Sequence, residues 1–186
     1  MNLPSTSLWE FSSTIYRRPG IEKALLSLQR RFGVDVNMLL ACCWAARYRH
    51  QKITPSGMTE LVEKARVWQS DVVRPLRLLR NRLKTGFVSI SRLDTQALRG
   101  KVLALEIEAE QAEQDYLAAE LPRRSVALDS SQLLQGALAN ITAYVRLLDI
   151  ELDEESMEHL ATIVSAAFDG APEHVRVAWK TLPKAD

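Results

Sequence analysis

The chain is 186 residues long, 47% hydrophobic and 25% charged, with a formal net charge of +1. That length supports a buried core without disulfide or metal staples and suits one domain, or one with a helical extension. A near-zero charge argues against a generic polyanion binder, and no apolar run approaches the roughly 20 residues of a membrane span.

At the N-terminus, "MNLPSTSLWEF" lacks a basic segment followed by an apolar one, so no export signal is expected. "STSLWEFSSTIY" opens with polar capping residues and sets Leu8, Phe11 and Ile15 on one helical face, with Trp9 beside them. "RRPG" breaks that helix, and Pro19 can open the next. There Ile21, Leu25, Leu28 and Phe32 form an apolar stripe that stops at Gly33. "VDVNMLLACCWAARY" is apolar most of the way round, which predicts a central buried helix capped by Asp35 and Asn37. Its two cysteines, Cys42 and Cys43, are neighbours about 100° apart on a helix and cannot bridge. They read as buried thiols in a reducing compartment.

After the turn "TPSGMTE", a long amphipathic helix is predicted from Met58 to Thr85, its stripe made by Leu61, Ala65, Trp68, Val72, Leu76, Leu79 and Leu83. Pro75 lies inside it, so a kink or break is expected just before that residue. "TGFVSISRLDT" connects to a second long helix, Leu93 to Leu121. "PRRSVALDSS" is the longest linker candidate. "SSQLLQGALANITAYVRLL" and "DEESMEHLATIVSAAF" are two shorter helices, the second starting at a capping Asp153 and ending at Gly170 and Pro172. "EHVRVAWKTL" adds a final turn, and Trp9, Trp44 and Trp68 are expected in the core. No alternating run long enough for a sheet occurs. The expected fold is therefore all-α, a bundle of six to eight helices around a long antiparallel hairpin at about 58–121. Residues 1–121 would form the main domain, and 122–186 a C-terminal helical extension packed on it.

Residues 1–100 carry 17 Lys and Arg against 7 Asp and Glu, whereas residues 101–186 carry 7 against 16. The densest basic stretch, "DVVRPLRLLRNRLK", holds Arg74, Arg77, Arg80, Arg82 and Lys84. At about 100° per residue, Arg74, Arg77, Arg80 and Lys84 share an arc beside the apolar stripe, with Arg82 opposite. On the following helix Glu106, Glu110, Glu113 and Glu120 share one arc. In a hairpin, Arg74 would lie near Glu110 and Arg77 near Glu106, an intramolecular ladder with Glu113 as a further partner. The other readings of the Arg stripe are a phosphate or nucleic-acid site and a surface for an acidic protein. It contains no aromatic residue for base stacking, which disfavours nucleic acid.

The acidic "LDIELDEESMEH" places Asp149, Asp153, Glu155 and His159 close in sequence. It lacks the paired Glu-x-x-His set of a di-iron bundle and reads as helix-start carboxylates. His50, His159 and His174 have no nucleophile nearby, and there is no phosphate loop, nucleophile elbow or zinc spacing. No catalytic, cofactor-binding or metal residue is assigned.

Taken together, Leu8-Trp9 with Phe11, Tyr16 with Pro19-Gly20, Leu28-Gln29, Gly33 to Asn37, Trp44, Trp68-Gln69 and Val73 to Leu83 are distinctive. The chain resembles, over roughly residues 8–120, a proteobacterial family of uncharacterised all-helical proteins. That resemblance implies a bacterial cytoplasmic protein and brings no activity, ligand or site residue. The leading functional reading is a non-enzymatic interaction or adaptor protein with an unidentified protein partner, with a homodimer as one option. Anion or nucleic-acid binding through residues 74–84 is the alternative, and an enzyme on a helical diphosphate-type fold ranks last.

Overall fold

The computed structural model describes residues 6–87 and 90–182, and these are overwhelmingly helical. Helices α1 (Leu8–Tyr16), α2 (Ile21–Phe32) and α3 (Val36–Arg49) lead to a three-residue strand β1 (Gln51–Ile53). Then come α4 (Pro55–Trp68), a π-helical turn (Gln69–Val73), α5 (Arg74–Thr85) and the 29-residue α6 (Arg92–Glu120). Strand β2 (Ser125–Ala127) precedes α7 (Leu133–Leu147), α8 (Glu154–Phe168) and α9 (Pro172–Lys180). Because α4, the π turn and α5 follow without a break, these residues hold eight helices in the sense of the sequence reading.

Local chemistry sets the boundaries. Ser7 and Glu10 form a capping box at α1, Asp35 caps α3 by accepting from the Asn37 amide, and Thr54 caps α4. Gly33 ends α2 at φ 68°, a left-handed conformation that costs glycine little. At the end of α8 it is Asp169, not Gly170, that takes the left-handed position, at φ 52°. Asp169 is held there by Arg18 and Arg47.

α3 is the axis of the core. Every residue from Val36 to Ala46 is buried, because α1, α6, α7 and α8 surround it. One continuous apolar cluster draws on α1, α2, α3, α4, the end of α6, α7, α8 and Val175 of α9. Trp44 lies inside it, 3% exposed, whereas Trp68 is 38% exposed and lies outside the core expected for it. Cys42 and Cys43 are buried and unbridged, and burial pushes the Cys43 thiol up to about 12.

The antiparallel ribbon of β1 and β2 was not expected from the sequence. Three residues per strand are too few for a visible alternation. Tertiary contacts hold the ribbon instead. Asn140 of α7, fully buried, accepts from the Ile53 amide at 2.8 Å and donates to the Cys42 carbonyl at 3.1 Å. The segment 122–131 thereby becomes ordered structure, with β2 lying on β1.

α4–α5 and α6 run antiparallel. Arg80 meets Glu106, Arg77 meets Glu110, Gln69 meets Glu113 and Glu60 meets Arg124. The π turn sits just ahead of Pro75, where the sequence predicts a kink. A π turn widens the helix and relieves the clash between the proline ring and the preceding carbonyls. Along this stretch Gln69 and Val73 are buried in place of Trp68 and Val72, and Leu79 is 46% exposed.

Candidate functional site

α6 is about 44 Å long at 1.5 Å per residue. Its C-terminal half enters the core through Ala109, Glu113, Gln114 and Leu117. Its N-terminal half pairs with α5 to form an arm. α5 packs mainly on α6 and the π turn, and Leu83 is its only buried residue. Leu83, Thr95 and Val102 are the buried side chains of the arm's seam.

The rest of that seam is charged. Glu106, 4% exposed, accepts from Arg77 Nε at 2.8 Å and Arg80 Nε at 2.5 Å, and Arg77 Nη2 reaches Glu110 at 2.5 Å. Burial raises the Glu106 carboxyl, but the Arg80 and Arg77 hydrogen bonds outweigh it and hold the carboxyl below its ordinary value. Arg77→Ala is expected to lower stability by about 2 kcal/mol, because it strips two carboxylates of their partner, one of them buried. Arg82→Ala, at an exposed position, should stay within about 0.5 kcal/mol of the parent chain. Urea denaturation of the two variants checks this contrast.

The structure divides the basic stretch. Arg77 and Arg80 are tied to α6. Arg74 does not reach Glu110; it is exposed with no ion pair among the described residues, because the hairpin register sets Arg77 there. Arg82 is exposed and lies 5.2 Å over the Phe87 ring, and Lys84 is exposed at the hairpin end. Lys84 lines a groove of about 570 Å³ with Phe87, Ile90, Arg92 and Arg99. The Arg99 Nε is buried there without a hydrogen-bond partner among the described residues.

Sequence reasoning missed the arm's apolar surface. Leu78 is 69% exposed and Leu93 80%, and Phe87, Ile90, Leu98, Leu105 and Ile107 are exposed as well. A signal was present: Leu76 and Leu78 lie about 200° apart on one helix, so no single face can hide both.

Glu113 is not part of the Arg ladder. Seven residues beyond Glu106, about 10 Å along the axis, the same α6 face meets the π turn and the start of α3 instead of α5. Glu113 Oε2 accepts from Asn37 Nδ2 at 2.8 Å and Gln69 Nε2 at 2.6 Å, and Gln114 Nε2 donates to Asn37 Oδ1 at 2.8 Å. Asp35 Oδ1 accepts from the Asn37 amide, and the Asp35 amide donates to the Tyr144 hydroxyl at 2.9 Å. Burial and the Asp35 carboxylate push Glu113 up to about 9, and burial raises Asp35 too, so this pair holds a proton at neutral pH.

The acidic segment before α8 is used structurally. Asp153 caps the helix, and Arg31 binds it at 2.5 Å and Glu155 at 2.9 Å, which holds the Asp153 carboxyl well below the usual range. Among the described residues no group of three or more His, Cys, Asp or Glu could hold a metal ion. No helix among them is long and apolar enough to cross a membrane.

These features define an all-α protein with a buried acid pair at its centre and a cationic, leucine-rich arm. The chain belongs to the family described as "Protein of unknown function (DUF2390)", whose model matches residues 7–117, from the α1 cap to the last turn of α6. No curated protein and no solved structure matches it.

Proposed function

We propose that this protein is a non-enzymatic interaction module whose α5–α6 arm docks an acidic amphipathic helix of a partner protein. The observation that carries this reading is the arm surface itself. Exposed leucines on both helices stand among Arg74, Arg82, Lys84, Arg92, Arg99 and Lys101, none of which has an ion pair among the described residues. Large exposed apolar patches mark contact surfaces, and the surrounding cations select for carboxylates. The groove at the hairpin end supplies both kinds of contact, with Phe87 and Ile90 beside Lys84, Arg92 and Arg99. The same cations oppose pairing of two arms from two copies. Phe87 lies beneath Arg82, so the hairpin end offers little for base stacking. A reducing, cytoplasmic setting fits the two buried free thiols.

Fluorescence anisotropy with a labelled helical peptide, Leu on one face and Glu elsewhere, tests the reading at low salt. Saturable binding is expected, weakened on the order of tenfold by Arg82→Glu/Lys84→Glu and by Leu93→Asp, and weakened by salt. Binding indifferent to those variants, or tighter binding of single-stranded DNA than of the peptide, would overturn it.

A further inference from the structure

A second feature lies at the base of the arm and is independent of the docking surface. α4 and the C-terminal half of α6 form a half-open cavity of about 290 Å³ lined by Lys64, Ala65, Trp68, Ala112, Glu113 and Tyr116. The Trp68 indole N–H donates to the Ala109 carbonyl at 2.9 Å, which fixes the ring in place beside the π turn. π turns inside α-helices recur at functional sites.

The Tyr116 hydroxyl is buried and makes no hydrogen bond among the described residues. Glu113, one helical turn earlier on α6 and 2% exposed, is satisfied inside the protein: one oxygen accepts from Asn37 and Gln69, and its carboxyl shares a hydrogen bond with Asp35. Buried polar groups in folded proteins are almost always satisfied, so the Tyr116 hydroxyl calls for a partner from outside. Lys64 is exposed and adds a cation without an ion pair among the described residues.

We propose that this cavity binds a small aromatic carboxylic acid, its ring against Trp68, Ala65 and Ala112 and its carboxylate meeting Lys64 and Tyr116. The apolar wall and the fixed indole favour a flat ring, and the cation with a nearby hydroxyl favours an anionic end.

Titration of the full chain with 2-naphthoate, followed by calorimetry and tryptophan fluorescence, tests the proposal, with 2-naphthol as the neutral control. One-to-one saturable binding of naphthoate is expected, with a fluorescence change that disappears in Trp68→Phe. Tyr116→Phe and Lys64→Glu should each weaken naphthoate on the order of tenfold, whereas Lys64→Glu should leave 2-naphthol unchanged. Circular dichroism confirms that these variants stay folded. The proposal is overturned by absence of saturable naphthoate binding, by equal affinity in all variants, or by naphthol binding tighter than naphthoate. A dimer seen by light scattering that depends on Trp68 and that naphthoate does not compete would overturn it too, by assigning the cavity to a second copy.

Discussion

A chain ending at Leu121 is expected to lose cooperative folding. α7 and α8 bury Leu138, Ile141, Tyr144, Val145, Leu160, Ile163 and Val164, and α3 packs against both helices. At about 1.5–3 kcal/mol per fully buried large side chain, their removal forfeits roughly 10–20 kcal/mol, more than the ~5–15 kcal/mol that holds most domains folded. The truncation also removes Asn140, which pins β1, and the Tyr144 hydroxyl behind Asp35. The expected result is a broad thermal transition by circular dichroism, reduced helicity and strong binding of a hydrophobic dye. A sharp transition with retained helicity would mean that residues 1–121 fold alone. The family match ends at residue 117, short of α7 and α8, so one folding unit would extend well beyond the matched region.

Stability is expected to fall as pH rises from about 5 to about 9, and Glu113 is the main reason. Its folded value of about 9 lies far above the ordinary 4.5. Across that interval the folded state keeps a proton that the unfolded chain has released. The stabilisation is complete below the ordinary carboxylate value and is lost as pH climbs through the folded one. The loss should be on the order of 5 kcal/mol over the window. Around Glu113 stand Asp35, Asn37, Gln69 and Tyr144, with Arg77 acting on Asp35 from the arm. Burial raises Tyr144 and the thiols of Cys42 and Cys43 as well, which carries their titration out of the interval. Glu113→Gln keeps the neutral, hydrogen-bonding form at every pH. It should match the parent near pH 5, exceed it near pH 9 and flatten the profile in urea denaturation. A slope identical to that of the parent would assign the pH dependence to other groups.

The helical architecture could be read from the sequence because each helix repeats its apolar residues at helical spacing and most carry a recognisable cap. Leu8, Phe11 and Ile15 show this, as does the all-round apolar α3, and all are buried. What could not be read depends on three-dimensional neighbours. Glu106 and Glu113 share one arc of α6, yet α5 faces the first and the π turn faces the second, and periodicity carries no information about which. Past Ala65 the buried positions step four residues at a time to Gln69 and Val73, which leaves Trp68 outside the buried stripe, and Leu79 is exposed as well. Gln51–Ile53 and Ser125–Ala127 pair where Asn140 pins the first strand and bonds from Thr54 to Arg124 and from Leu128 to His50 draw in the second, a cause absent from either segment alone. An amphipathic stripe likewise does not say whether the chain covers it. Along α5 and the first half of α6, it does not.

The proposed docking of a partner helix on the α5–α6 arm is tested most directly by hydrogen–deuterium exchange. The full chain is exchanged with and without saturating Leu/Glu helical peptide at low salt. Slowed exchange confined to the described arm residues between about 78 and 105, and absent in Leu93→Asp, is the predicted result. Protection centred on α7 to α9, or a bound peptide that protects no part of the arm, would contradict it.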